Sequence, residues 1–126
     1  MKNLSRVLVV PFIAICALAV ASTGDVDLRA RLTGMGKGQA EWKTQDKGTR
    51  LRAELEVEGE HLTADTDYTV TVGTNAPFTV TTDSFGEFES EQRFNGATRP
   101  TVNVGDSVTV SDATNTVVLS GTFASH

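Results

Sequence analysis

Thr49-Arg-Leu-Arg-Ala-Glu-Leu-Glu-Val-Glu58 decides how this chain folds. Leu51, Ala53, Leu55 and Val57 fall on one side of an extended backbone, and Arg50, Arg52, Glu54, Glu56 and Glu58 fall on the other. Strict period-two alternation is the mark of a strand with one dry and one wet face. A helix would gather Leu51, Leu55 and Glu58 and leave Ala53 and Val57 far round the cylinder, so no apolar stripe would form. Turn chemistry bounds the stretch on both sides, with Asp46-Lys47-Gly48 before it and Gly59 after it.

The same grammar extends in both directions. Asp25 to Leu32 alternates with Leu28, Ala30 and Leu32 inward and Asp27, Arg29 and Arg31 outward. Gln39 to Lys43 points Ala40 and the single Trp, Trp42, to the same interior. Between them, Thr33-Gly34-Met35-Gly36-Lys37-Gly38 spaces its glycines like a phosphate loop. No Gly-Lys-Ser/Thr ends it and a strand follows where a helix N-terminus would be needed, so it reads as a hairpin connection. After a polar link at Gly59–Thr66, in which Leu62 turns back under the sheet, further strands are expected at Asp67–Gly73, Phe78–Thr82, Glu87–Phe94, Ser107–Ser111 and Thr116–Phe123. The last of these places Val117, Leu119 and Phe123 inward and Val118 on the opposite face. Asn75-Ala76-Pro77, Asp83-Ser84-Phe85-Gly86, Asn95-Gly96, Gly105-Asp106 and Asp112-Ala113-Thr114-Asn115 supply the turns. The chain carries 18 Thr and 15 Val, types that suit a pleated, half-buried surface. With no amphipathic helix and connections too short for crossovers, the expectation is an all-β, antiparallel β-sandwich of about seven to eight short strands.

The first 21 residues are an address rather than part of the fold. Lys2 and Arg6 precede an uncharged apolar run, Val7 to Val20, and Ala19-Val20-Ala21 has the small-x-small pattern of a cleavage site. The run is too short to cross a bilayer of about 30 Å. Cys16 follows the bulky Ile15 and is read as part of this discarded segment rather than as a lipidation site. The expectation is therefore a helical signal peptide over residues 1–21, a single domain over residues 22–126, and a secreted or periplasmic location with no membrane association after processing. Removing Lys2 and Arg6 from 11 basic and 16 acidic residues leaves nine against sixteen, a net charge of −7. That balance argues against nucleic acid as a partner. The processed chain has no Cys, so its stability comes from one apolar core.

From Leu32 to Glu89 the pattern resembles the chordin-type (CHRD) module of secreted proteins. The residues that carry the likeness are Leu32-Thr33-Gly34, Gly38-Gln39-Ala40-Glu41-Trp42, Val57-Glu58-Gly59, Tyr68-Thr69-Val70-Thr71-Val72, and Asp83 with Gly86-Glu87-Phe88. The module's His-containing segment has no counterpart here. The resemblance implies an immunoglobulin-like sandwich in a secreted protein and transfers no catalytic residue.

No catalytic constellation is legible. Only His61 and His126 could shuttle protons near neutral pH, one in a polar loop and one at the C-terminus. Zinc and thiol chemistry lack ligands. Glu54, Glu56 and Glu58, with Glu87, Glu89 and Glu91, alternate along two strands as a solvated face would; Arg29, Arg31, Arg50 and Arg52 are expected to pair with them. Asp65, Asp67, Asp83 and Glu87 are the candidate ligands for calcium, the one cofactor considered, because hard cations want carboxylates converging from loops. Asp is equally an ordinary turn residue. The expectation is a non-enzymatic module that binds an unknown protein or cell-surface partner. Its mark would be an exposed apolar patch or an open sheet edge. The alternatives are a calcium- or carbohydrate-binding domain and a small hydrolase with paired carboxylates.

Overall fold

A computed structural model describes residues 25–48 and 50–126. The expected signal peptide, Cys16 and Thr49 lie outside the described residues. Nine strands follow one another: β1 (Val26–Gly34), β2 (Lys37–Lys47), β3 (Arg50–Glu60), β4 (Asp67–Val72), β5 (Phe78–Thr81), β6 (Phe88–Asn95), β7 (Ser107–Ser111), β8 (Val117–Thr122) and β9 (Ala124–Ser125). Among the described residues the one helical element is a 3-10 turn at Gly96–Thr98.

All nine strands belong to one antiparallel sheet in the order β5-β4-β7-β8-β1-β2-β3-β6, with β9 carrying the last strand on along β1. The sheet curls until its edge strands, β5 and β6, come alongside each other without sharing a ladder, which makes a nearly closed barrel. One continuous sheet thus does what the sequence reading assigned to two packed ones. The curl needs close approaches that only glycine allows. A β-carbon on Gly34 (φ 149) would collide with the Val118 carbonyl just where β1 meets β8 and the Met35 N–H bonds that same carbonyl at 2.8 Å.

The alternation seen in the sequence becomes rows across the barrel. Leu28, Trp42 and Leu55 stand in register as a wide inward row, and Ala30, Ala40 and Val57 as a narrow one beside it. Large and small rows interlock, as close packing requires. Val70, Val110 and Leu119 continue the core on the other wall, each 0% exposed. Trp42 is buried at 2% exposure, and its ring lies 6.2 Å from that of Phe94 at 47°. Leu62 turns inward as expected and caps one end.

An inward assignment in β8 is corrected. Val117 was expected in the core and is 53% exposed, whereas Val118 is buried beside Leu119. The ladder slips at this point: Val110 pairs with Leu119 but Ser111 pairs with Val117, leaving Val118 as an extra residue. A bulge of this kind reverses the phase of alternation on one side of it.

Candidate functional site

Strand directions sort the connections into two ends of the barrel. β1, β3, β5 and β7 all run toward the end that carries Met35-Gly36 and residues 61–66, 82–87 and 112–116. The β2–β3 hairpin and residues 96–106 lie at the opposite end.

The first end is held rigidly. The Leu62 N–H donates to the Gly86 carbonyl at 3.0 Å and the Asp65 N–H to the Asp83 carbonyl at 3.0 Å, tying two loops together. Thr82, 3% exposed, sits between them: its hydroxyl donates to the Thr63 carbonyl at 2.6 Å and accepts from the Thr66 N–H at 2.9 Å. The Tyr68 hydroxyl accepts from the Thr63 N–H at 3.1 Å.

Two loops at this end are the same turn built twice. In each, an Asp carboxylate accepts the N–H groups two and four residues on: Asp83 Oδ1 from Phe85 at 2.8 Å and Glu87 at 3.0 Å, and Asp112 Oδ1 from Thr114 at 2.9 Å and Thr116 at 3.0 Å. The Asp N–H returns to the carbonyl four residues on in both, at 2.8 Å and 3.0 Å. The residue three after the Asp has positive φ in both, Gly86 at 76° and Asn115 at 66°. Asp side chains favour such turns because they satisfy local backbone donors. The Thr114 hydroxyl, and then the Thr116 N–H, hold the Asp112 carboxyl below the usual carboxylate range.

The two turns differ at the position that faces out. One carries Thr114; the other carries Phe85, which is 82% exposed. Met35 at 59% and Val117 at 53% are exposed at the same end. Backbone contacts link them round the rim, from Val118 to Met35, from Gly36 to Glu60 and His61, and from Leu62 to Gly86. Asp83 and Glu87 flank Phe85 in its own turn. Glu58, Glu60, Asp83, Glu87 and Glu89 line an open hollow of about 440 Å³ floored by Gly38, Gly59 and Phe88.

The candidate calcium ligands are divided among these features. Asp65 and Asp83 sit on neighbouring loops, Asp67 accepts the Thr81 hydroxyl at 2.6 Å, and the Asp83 carboxylate is engaged by its own loop amides. Glu87 lines the hollow. Among the described residues no three His, Cys, Asp or Glu side chains are placed to hold a metal ion.

At the opposite end arginines border the first of two hollows. Arg50, Leu51, Arg52, Asn95 and Gly96 line a hollow of about 340 Å³, and Leu51, expected in the core, is 36% exposed there. Beside it, Lys43, Gln45, Arg52, Glu54, Arg93 and Asn95 border a further hollow of about 460 Å³ on the outer face. Arg93 bonds Glu54 at 3.2 Å and Arg99 bonds Asp46 at 2.7 Å, while neither Arg50 nor Arg52 forms an ion pair among the described residues.

Between the ends, the outer face of β2, β3 and β6 carries the expected glutamates. Glu41, Glu56 and Glu91 stand directly opposite one another, as do Glu58 and Glu89, whereas Glu54 lies between Lys43 and Arg93. Arg29 reaches Glu41 at 2.8 Å. Partial burial, and then Glu54, Glu91, Glu41 and Glu58, push the Glu56 carboxyl above its ordinary value. His61 and His126 are both exposed. The alternating acids were legible in the sequence; Phe85 was passed over as a turn residue, although an aromatic inside Asp-Ser-Phe-Gly was the available signal. Compared with known proteins, the chain matches no family's sequence profile and no curated protein.

Proposed function

We propose that this domain is a non-enzymatic interaction module of a secreted protein, in keeping with the chordin-type resemblance, and that it grips its partner through the loop-bearing end of the barrel. The reading is carried by one comparison inside the molecule. The turn at Asp83–Glu87 and the turn at Asp112–Thr116 share their backbone hydrogen bonds; Thr114 adds its hydroxyl to the Asp112 carboxylate at 2.7 Å, whereas Phe85 adds no bond, so the turn does not need an aromatic there. An 82% exposed Phe ring gains nothing in the isolated domain, and its hydration is relieved only on contact. Rigid aromatic anchors within a polar rim are the usual core of a protein–protein interface. The carboxylates around Phe85 call for a partner surface bearing Lys or Arg and oppose anionic lipid or nucleic acid. Nothing in the site draws two carboxylates round a proton-shuttling group, and both histidines are solvated.

Replacing Phe85 with a photo-cross-linking phenylalanine analogue, and irradiating in the compartment where the protein accumulates, tests this. One discrete adduct is expected, lost when salt is raised. The same analogue at Thr79, an exposed residue on the barrel wall, should give none. Equal adducts from both positions would overturn the reading.

A further inference from the structure

Resting on that reading, we infer that one partner of the Phe85 end is a second copy of this chain, docked head to tail by its β2–β3 hairpin end. The patch around Phe85 and the hollow between Arg50 and Arg52 complement each other in charge. Phe85 projects from a turn fixed by the Asp83 carboxylate and by Gly86, whose β-carbon would collide with the Leu62 carbonyl. At the other end, Leu51 lies at the base of a hollow of about 340 Å³ between Arg50 and Arg52. The hollow is open to solvent, so a phenyl ring would lie against the exposed Leu51 between the two arginines rather than in an enclosed cavity. Around Phe85 stand Asp83 and Glu87; around the hollow stand Arg50 and Arg52, which have no carboxylate partner of their own among the described residues. Seating one on the other buries the exposed ring and pairs both arginines with carboxylates.

The geometry excludes closure within one molecule. β3 begins at the hairpin with Arg50 and ends at Glu60, next to the loop that bonds Gly86. Eleven residues of strand separate knob and hollow by about 33 Å. The two patches are different surfaces at opposite ends, so the contact is heterologous and a pair leaves one knob and one hollow free. Such contacts propagate beyond a pair, into rings or open chains, rather than closing as dimers.

Sedimentation velocity of the purified protein tests the assignment. At about 0.01 M salt, where the Debye length is about 30 Å, the sedimentation coefficient should climb with concentration. At about 1 M salt, where that length is about 3 Å, it should return to the monomer value. Phe85→Ser should weaken association at least tenfold, from the apolar burial lost. Arg52→Glu should abolish it. Both positions are exposed, and far-UV circular dichroism confirms that each variant folds. The decisive sample is the mixture: Phe85→Ser keeps an intact hollow and Arg52→Glu an intact knob, so together they should form 1:1 dimers that grow no further. A monomer at every concentration in low salt, or association that survives both substitutions, would overturn the second-copy assignment. A discrete cross-link from Phe85 to another protein would at the same time leave the interaction reading standing.

Discussion

Glu56 and Glu54 sit two residues apart on the outer face of β3, and reversing their charges should move stability in opposite directions. Glu56 faces Glu41 on one side and Glu91 on the other; Glu54 faces Lys43 and Arg93. Like charges directly opposite across a ladder destabilise by roughly 0.2–1 kcal/mol each, and opposite charges stabilise by as much. The low end applies here, because Arg29 already engages Glu41 at 2.8 Å and Arg93 reaches Glu91 at 3.4 Å. Glu56→Lys removes two repulsions and creates two attractions, a gain of about 1 kcal/mol at low salt on these figures. For a domain of about 100 residues that raises Tm by about 4 °C or more. Glu54→Lys breaks the Arg93 pair and sets three cations in a row, so it should lower Tm. Glu56→Gln should give about half the gain of Glu56→Lys, and pH offers a second reading of it. The Glu56 carboxyl is held above its ordinary value near 4.5, so its contribution to stability is full below the unfolded-state value and lost as pH rises through the native one. The advantage of Glu56→Gln should therefore be present at neutral pH and close as pH falls toward that range. Thermal and urea unfolding of the four proteins at low and high salt, and at neutral and acid pH, followed by tryptophan fluorescence, measures all of this. Equal destabilisation by Glu54→Lys and Glu56→Lys, or differences that ignore salt, would refute the register on which the reasoning stands.

Leu55→Asp should unfold the domain, because it places an unpaired carboxylate in the inward row beside Trp42 at a position 4% exposed; circular dichroism should lose its strand signature. Gly86→Ala should cost about 1–3 kcal/mol in urea unfolding, since φ is +76° and the new carbon meets the Leu62 carbonyl, and a cost near zero would mean the loop is not held as described. The Asp112 carboxyl is lowered, so its share of stability is present above the ordinary value near 3.8 and lost as pH falls through the native one; Asp112→Asn should narrow the acid sensitivity of unfolding accordingly.

Most of the fold was legible because alternation is a local property. The inward sets of β1, β2 and β3 are those that period two assigns, and their outward Arg and Glu face solvent. Three things were not local. Whether the strands form two layers or one depends on how far the sheet coils, and that is set by close backbone approaches such as Gly34 against Val118. Val117 lost its inward place to a bulge that arises from pairing with β7 and leaves no mark in β8 itself. Leu51 obeys the alternation of β3 but lies where the hairpin runs past the end of the core, so its side is right and its depth is not.

The site was hidden for a related reason. Asp-Ser-Phe-Gly-Glu and Asp-Ala-Thr-Asn-Thr share only their first residue type, yet they fold into the same turn, because an Asp acceptor and one residue able to hold positive φ are all it requires. Read separately, each is a polar turn. Set side by side, they show that the backbone turn forms with either residue two after the Asp: Thr114 adds a hydroxyl bond to Asp112, whereas Phe85 adds none and is exposed to water. Met35, between two glycines, and Val117, turned out by the bulge, reach the same rim from distant parts of the sequence. Three residues with separate local reasons for exposure are brought to one end of the barrel only through the strand order. The scaffold beneath them is stabilised by a core on which none of the three depends. Phe85 can therefore be altered without unfolding the barrel, and loss of association in a folded Phe85→Ser protein would report on the surface alone.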